Sequence, residues 1–279
     1  LSRAAESRKL SPGESTRRQA QPGIGFNMLT FEHPLNERIR TFLRLEHLFK
    51  KVAYFQPQDS PWATRAAVEG LLDVAALTSR SDIKTELVKE LERNTATLDR
   101  MHRQPGVDEQ TLDKVLDDLQ GAAFGLRDLR GQLGQRMRDS EFLKSVSQRS
   151  SIPGGTCSFD LPEYHFWLTR AGEIRHQDIG DWVEDLQPVR NAIDLVLSLA
   201  RTSAAPRRVT AREGFFQEAL DAKAPAQLVR ITLDGPESLY PEVSGYKNRF
   251  SVRFMRCDDL ERPVQLRDDL EFTLTCCVL

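Results

Sequence analysis

The sequence has little cysteine, no excess of charge and no long apolar run. Four cysteines in 279 residues do not make a disulfide framework. No stretch reaches about 18 uninterrupted apolar residues, so no transmembrane helix and no membrane insertion are expected. The opening "LSRAAESRKLSPGESTRRQAQPG" lacks the apolar core of a signal peptide. Together these features point to a reducing cytosol. The formal net charge is −2, from 39 basic and 41 acidic residues, which disfavours a protein that coats nucleic acid. There is no C-x-x-C, no H-E-x-x-H and no EF-hand loop, so neither a metal nor a cofactor is expected. "GIGF" and "GLRDLRGQLG" are too incomplete to cradle a phosphate.

What is present is a change of period along the chain. Residues 1–27 are rich in Arg, Ser, Pro, Gly and Gln, bury too little to offset ordering entropy, and read as a disordered extension. From His33 the spacing predicts a helix, with Pro34 in its first turn and Leu35, Ile39, Phe42, Phe49 and Val52 on one side. Further helices are predicted over 61–79 and, capped by Asp82, over 82–102. Residues 104–110 form a loop and a new helix start, and a break is expected within 121–140, where glycines accumulate. "PEYHFWLTR" reads as a helical turn or two, and 178–203 as helix on both sides of Pro188. From about 206 the period becomes two: Val229, Ile231 and Leu233 alternate, as do Phe250, Val252 and Phe254. Residues 233–248 read as a turn-rich connection. The fold class is therefore α+β: a mainly α-helical domain over 28–205, then a smaller antiparallel β domain over 206–279, with 154–160 a candidate additional strand. The C-terminal Cys276-Cys277-Val278-Leu279 has prenylation spacing, but the alternation of Leu270, Phe272, Leu274 and Cys276 reads as a strand with Cys276 turned inward.

Two features carry candidate chemistry. "IPGGTCSFDLPEYHFWL" brings Cys157, Asp160 and His165 close in sequence, the residue types of a thiol enzyme. No cation neighbours Cys157 to activate it, and an extended chain would point Cys157 and Asp160 apart. The stretch reads better as a glycine corner with Cys157, Phe159 and Leu161 packed inward, and Trp167 in the core. The sharper feature is a stripe: Arg40, Arg44, His47 and Lys51 fall within about 60° of one another on the first helix, opposite its apolar side. Such spacing costs repulsion instead of giving salt-bridge support. With Lys247, Arg249 and Arg253 it would make a surface for an acidic, partly apolar peptide. A nucleic-acid-binding protein using the same basic surfaces is the alternative, though no reading module is visible.

"FEHPLNERIRTFLRLEHLF" (31–49), "RSDIKTELVKELER" (80–93), "SIPGGTCSFDLPEYHFWL" (151–168) and "LYPEVSGYKNRFSVRFM" (239–255) resemble the ZapD family of bacterial cell-division proteins. The matching stretches run in order from about residue 31 to the terminal "FTLTCC" and leave residues 1–27 outside. The resemblance implies a cytoplasmic, non-enzymatic homodimer acting at the midcell Z-ring. Such a protein binds the C-terminal tail of FtsZ through a positively charged groove and bundles its filaments. It further implies Arg40, Arg44 and His165 as tail-binding positions, with Arg138, Arg149, Lys247 and Arg249 as neighbours. Glu141 and Ser147 depart from the basic character expected of relatives in 138–149, which leaves the rim of the groove open.

Overall fold

The computed structural model describes residues 28–79, 82–103, 108–221, 224–234, 238–246, 249–257 and 262–279. The extension expected over 1–27 and the candidate Lys247 lie outside these. The elements run β1 (Leu29–Pro34), α1 (Glu37–Phe55), α2 (Pro61–Ser79), α3 (Ile83–Asp99), α4 (Glu109–Asp128), α5 (Gln135–Asp139), α6 (Glu141–Ser150), α7 (Pro162–Leu168), α8 (Gly172–Val183) and α9 (Gln187–Thr202). The strands β2 (Arg207–Ala211), β3 (Phe215–Ala219), β4 (Leu228–Leu233), β5 (Leu239–Tyr246), β6 (Arg249–Arg256), β7 (Val264–Gln265) and β8 (Leu270–Cys277) follow. The chain is thus α+β: one strand, β1, precedes the helices, and the other antiparallel strands follow them.

Helix ends follow their caps. Asp82 accepts from the Thr85 amide and Asp108 from that of Thr111, as capping carboxylates do. The break after α4 falls where Gly131 and Gly134 take positive φ. Pro188 lies in the first turn of α9, where its missing N–H costs nothing; helix also extends upstream of 178, back to Gly172.

The strands form two antiparallel sheets, ordered β1-β4-β8-β2 and β3-β6-β5, with β7 beside β6. The alternation read from sequence holds. Val229, Ile231 and Leu233 face a core shared with Phe250, Val252 and Phe254 of the other sheet. The opposite side of the first sheet meets the helices: Leu228 and Cys277, paired in register, belong to the helical core. Cys277, not Cys276, is the fully buried thiol, and burial pushes it up to about 11. The β2–β3 turn crosses between the sheets. Glu213 and Gly214 both take positive φ there, and a side chain on Gly214 would meet the Leu266 carbonyl at 2.2 Å.

Four expectations differ from the structure. His33 and Pro34 end strand β1, not begin a helix; α1 starts at Glu37, capped by Asn36, whose Oδ1 accepts from the Ile39 amide at 2.9 Å. Residues 239–246 are strand β5, paired with β6 over its full length. Both missed strands lie at sheet edges and carry a proline, Pro34 and Pro241, which an edge tolerates. Residues 154–160 form turns and no strand. Within that corner Phe159 is 83% exposed, against the expected inward packing, while Leu161 is buried and Trp167 is in the core, its Nε1 donating to Asp178.

One charged cluster joins sheet to helices. Arg201 of α9 donates to both oxygens of Glu32 on β1 and both of Glu46 on α1, at 2.7–2.8 Å. Arg230 of β4, opposite Glu32 in register, donates to it at 3.0 Å. Nearby, Gln227 accepts from Asn36 and Arg38. The fully buried Glu90 of α3 is paired by Arg38 and Arg93. Burial alone would raise the Glu46 carboxyl, but the hydrogen bonds of Arg201 and Lys50 hold it below its ordinary value. A carboxyl depressed in the folded state stabilises above its unfolded pKa and loses that contribution as pH falls through the folded value. Replacing Arg201 by Met leaves two carboxylates under-paired, and should cost about 2–4 kcal/mol at neutral pH. Wild-type stability should fall as pH drops below the ordinary glutamate value of 4.5, and the variant should lose less. Urea unfolding at pH 7 and pH 4 reads both; equal losses would show that Glu46 does not depend on Arg201.

Candidate functional site

The helices α1 and α2 run antiparallel. Gly70 of α2 permits their approach, since a Cβ there would lie 3.0 Å from Val52 and 3.5 Å from the Lys51 stem. Beyond this contact toward the start of α1, the two helices and β1 leave a groove of about 700 Å³. Its apolar lining is Pro34, Leu43, Leu48, Ala76 and Leu77. Its basic lining is Arg40, Arg44 and His47, and its acidic residues are Glu32 and Asp73.

Three of the four stripe residues therefore meet at one concave site. The stripe stands opposite the buried side of α1, formed by Ile39, Phe42, Leu45, Phe49 and Val52, and Leu43 and Leu48 flank it within the groove. Glu37, in the first turn of α1, lies 3.1 Å from Arg40 and 3.9 Å from Arg44. Arg44 keeps 58% of its side-chain exposure and Glu37 keeps 76%, so this pairing is solvated and weak. Burial, and then the Arg40 charge, lower the pKa of His33, which ends β1 beside the groove. Lys51 sits one turn further along, 3.9 Å from Glu69 and outside the lining.

The other candidates stand elsewhere. His165 is exposed on α7. The α7 segment packs at the opposite end of α2, where the Arg65 guanidinium lies 4.8 Å over the Tyr164 ring and donates to the Thr156 carbonyl. Arg65 precedes Ala76 by eleven residues, roughly 16 Å along a helix. Arg149 is exposed at the end of α6. Arg138 of α5 is half-buried and donates to the Leu133 carbonyl, beside a smaller depression at the end of α2. Arg249 and Arg253 are exposed on the outer side of β6; the Arg249 end of that sheet is the one nearest His33 and Leu35, through Gly245.

The glycine corner is architecture. Gly154 has positive φ, and a Cβ on Gly155 would lie 2.6 Å from the Arg149 carbonyl. The turn brings Cys157 and Asp160 together, contrary to the extended-chain expectation: the thiol donates to Oδ2 at 3.3 Å. Its partner is thus a carboxyl group and not the cationic neighbour that a nucleophilic thiol uses. Tyr164, Trp167, Phe142 and Trp182 form a ring cluster behind the corner, with centroids 5.3–5.9 Å apart. Among the described residues no group of three or more His, Cys, Asp or Glu is placed to hold a metal, and no helix is long and apolar enough to cross a membrane. Asp73 and the α2 wall are not legible in the sequence, because the periodicity of α2 reports only its inward side.

The family described as "ZapD: Cell division protein" matches residues 43–253. A "Cell division protein ZapD" of Methylococcus capsulatus is 44% identical over 253 residues, covering 91% of this chain and 99% of that relative. Proteins of the same name from Chromobacterium violaceum and Nitrosomonas europaea are 40% and 38% identical, over 90% and 92% of this chain and 99% and 97% of theirs.

The groove depends on the helix approach at Gly70. Gly70→Leu should drive a side chain into Val52, cost about 1–3 kcal/mol and part the helices. Thermal unfolding checks it; an unchanged melting temperature would show that the contact is not tight.

Proposed function

This chain belongs to the ZapD family of cell division proteins, and from that premise we propose that it is a non-enzymatic adaptor of the Z-ring in the cytoplasm at midcell. In this reading the C-terminal tail of FtsZ is captured in the groove between α1, α2 and β1, and a homodimer carries two such grooves. The observation behind the proposal is the chemistry of the lining. Arg40, Arg44 and His47 stand over Leu43, Leu48 and Leu77, so a tail with acidic and apolar side chains finds a partner for each.

The mechanism is one of weak contacts multiplied. A single peptide in a solvated groove binds at about micromolar strength, near −8 kcal/mol. The second groove of a dimer meets its tail at high effective concentration, and the many tails along a filament make the cross-link durable. Lys51, Arg138, Arg149, His165 and Arg249 lie outside the lining. In this reading the lysine and the three arginines among them contribute a positive field that speeds encounter, not direct grip. The rim charges make capture sensitive to salt.

Arg44 is the test, since its side chain is largely solvated and its pairing with Glu37 is long. Arg44→Glu should weaken binding of an FtsZ tail peptide roughly tenfold at low salt, with the fold intact. Fluorescence anisotropy measures it. Equal affinity of variant and wild type would remove the groove from the account, and bundling of tail-deleted FtsZ by the wild type would remove the tail.

A further inference from the structure

The two walls of the groove differ in sign. The α1 wall carries Arg40, Arg44 and His47; the α2 wall carries Asp73. The other acid in the lining, Glu32, is occupied by Arg201 and Arg230 and keeps only 18% exposure. Asp73 is exposed and, among the described residues, has no ion-pair partner. A ligand that is acidic throughout would satisfy the α1 wall and be repelled by the α2 wall. We infer that Asp73 is a specificity-determining residue: the groove selects a dipolar peptide, with an acidic group for Arg40 and Arg44, an apolar middle, and a cationic side chain for Asp73.

The inference rests on the peptide-groove reading and adds polarity to it. Opposite charges on facing walls fix which way a peptide lies, because reversing it sets like charges against each other at both walls. Pro34, Leu43, Leu48 and Ala76 lie between and give the apolar middle its contact but no direction. The walls belong to two helices held together at Gly70, so their charges stay at a fixed separation, and the charge pattern of the ligand must match it.

Two synthetic peptides with one apolar core separate the possibilities: one is acidic at one end and lysine-bearing at the other, and the second is acidic at both ends. Each is titrated by fluorescence anisotropy at low salt against the wild type, Asp73→Lys and Arg44→Glu, with sedimentation velocity alongside. The wild type should prefer the dipolar peptide by about fivefold. Asp73→Lys should reverse the preference, and Arg44→Glu should weaken both peptides. An Asp73→Lys variant with unchanged preference overturns the inference while leaving the groove a peptide site. Wild type that binds neither peptide, or an Arg44→Glu variant that binds both unaltered, overturns the underlying reading as well. A change in self-association on Arg44→Glu, without any effect on the peptides, would assign the groove to a second copy of the chain and overturn both.

Discussion

The attachment of β1 to α1 and α9 through Arg201 is the constraint from which the rest follows. Glu32 and Glu46 are both largely withdrawn from water, and each would be costly to bury alone. One guanidinium answers both with a planar fork, and its own pKa is raised by those hydrogen bonds to Glu46 and Glu32. The cluster sits where an edge strand, the first helix and the last helix meet. It sets the angle at which the chain leaves β1, two residues before the Asn36 cap, and so the direction in which α1 departs from the sheet. The apolar partners of this junction, Leu228 and Cys277 against the helical core, are non-directional. The charged pairs supply the direction.

The groove follows from that geometry. Its floor begins at Pro34, on the strand that Glu32 anchors, and its walls are the two helices that follow. Because Glu32 is already occupied, the positive groups on α1 are not neutralised from below. Among the described residues Glu37 is the acid paired with Arg40 and Arg44, and it competes for them at the surface. The interior anion pairs inward while the rim cations remain available to a ligand, so one short segment from Glu32 to Lys51 serves both the architecture and the proposed capture of an acidic tail. The glycine corner at 152–161 has a different task. Arg65 pins it to α2, and the rings of Phe142, Tyr164, Trp167 and Trp182 fill the space behind it.

Much of this was legible in the sequence, and what was not has a common cause. Helices with one apolar side and strands with strict alternation declared themselves, because the buried side repeats at a fixed period. Edge strands do not bury a full side, and they accept proline, so the sequence of β1 resembles a helix start and that of β5 a connection. Asn36 before Glu37 was the visible signal for the true start of α1. Within the candidate site, the stripe of Arg40, Arg44 and His47 was readable because it lies on one helix. Asp73 was not, because only tertiary packing brings α2 opposite that stripe. His165 and Arg149, linked to the stripe by resemblance, lie near the far end of α2 from it. No periodicity could have placed them, since their position depends on how Arg65 docks the glycine corner.

The central claim is that an acidic, partly apolar tail occupies the space between α1, α2 and β1. The most direct measurement is methyl nuclear magnetic resonance on leucine-labelled protein during titration with the FtsZ C-terminal peptide. The account predicts that Leu43, Leu48 and Leu77 shift together, along one binding curve, while Leu161 and Leu168 beside the glycine corner stay still. Shifts confined to Leu161 and Leu168, with Leu43, Leu48 and Leu77 unmoved at saturation, would contradict it.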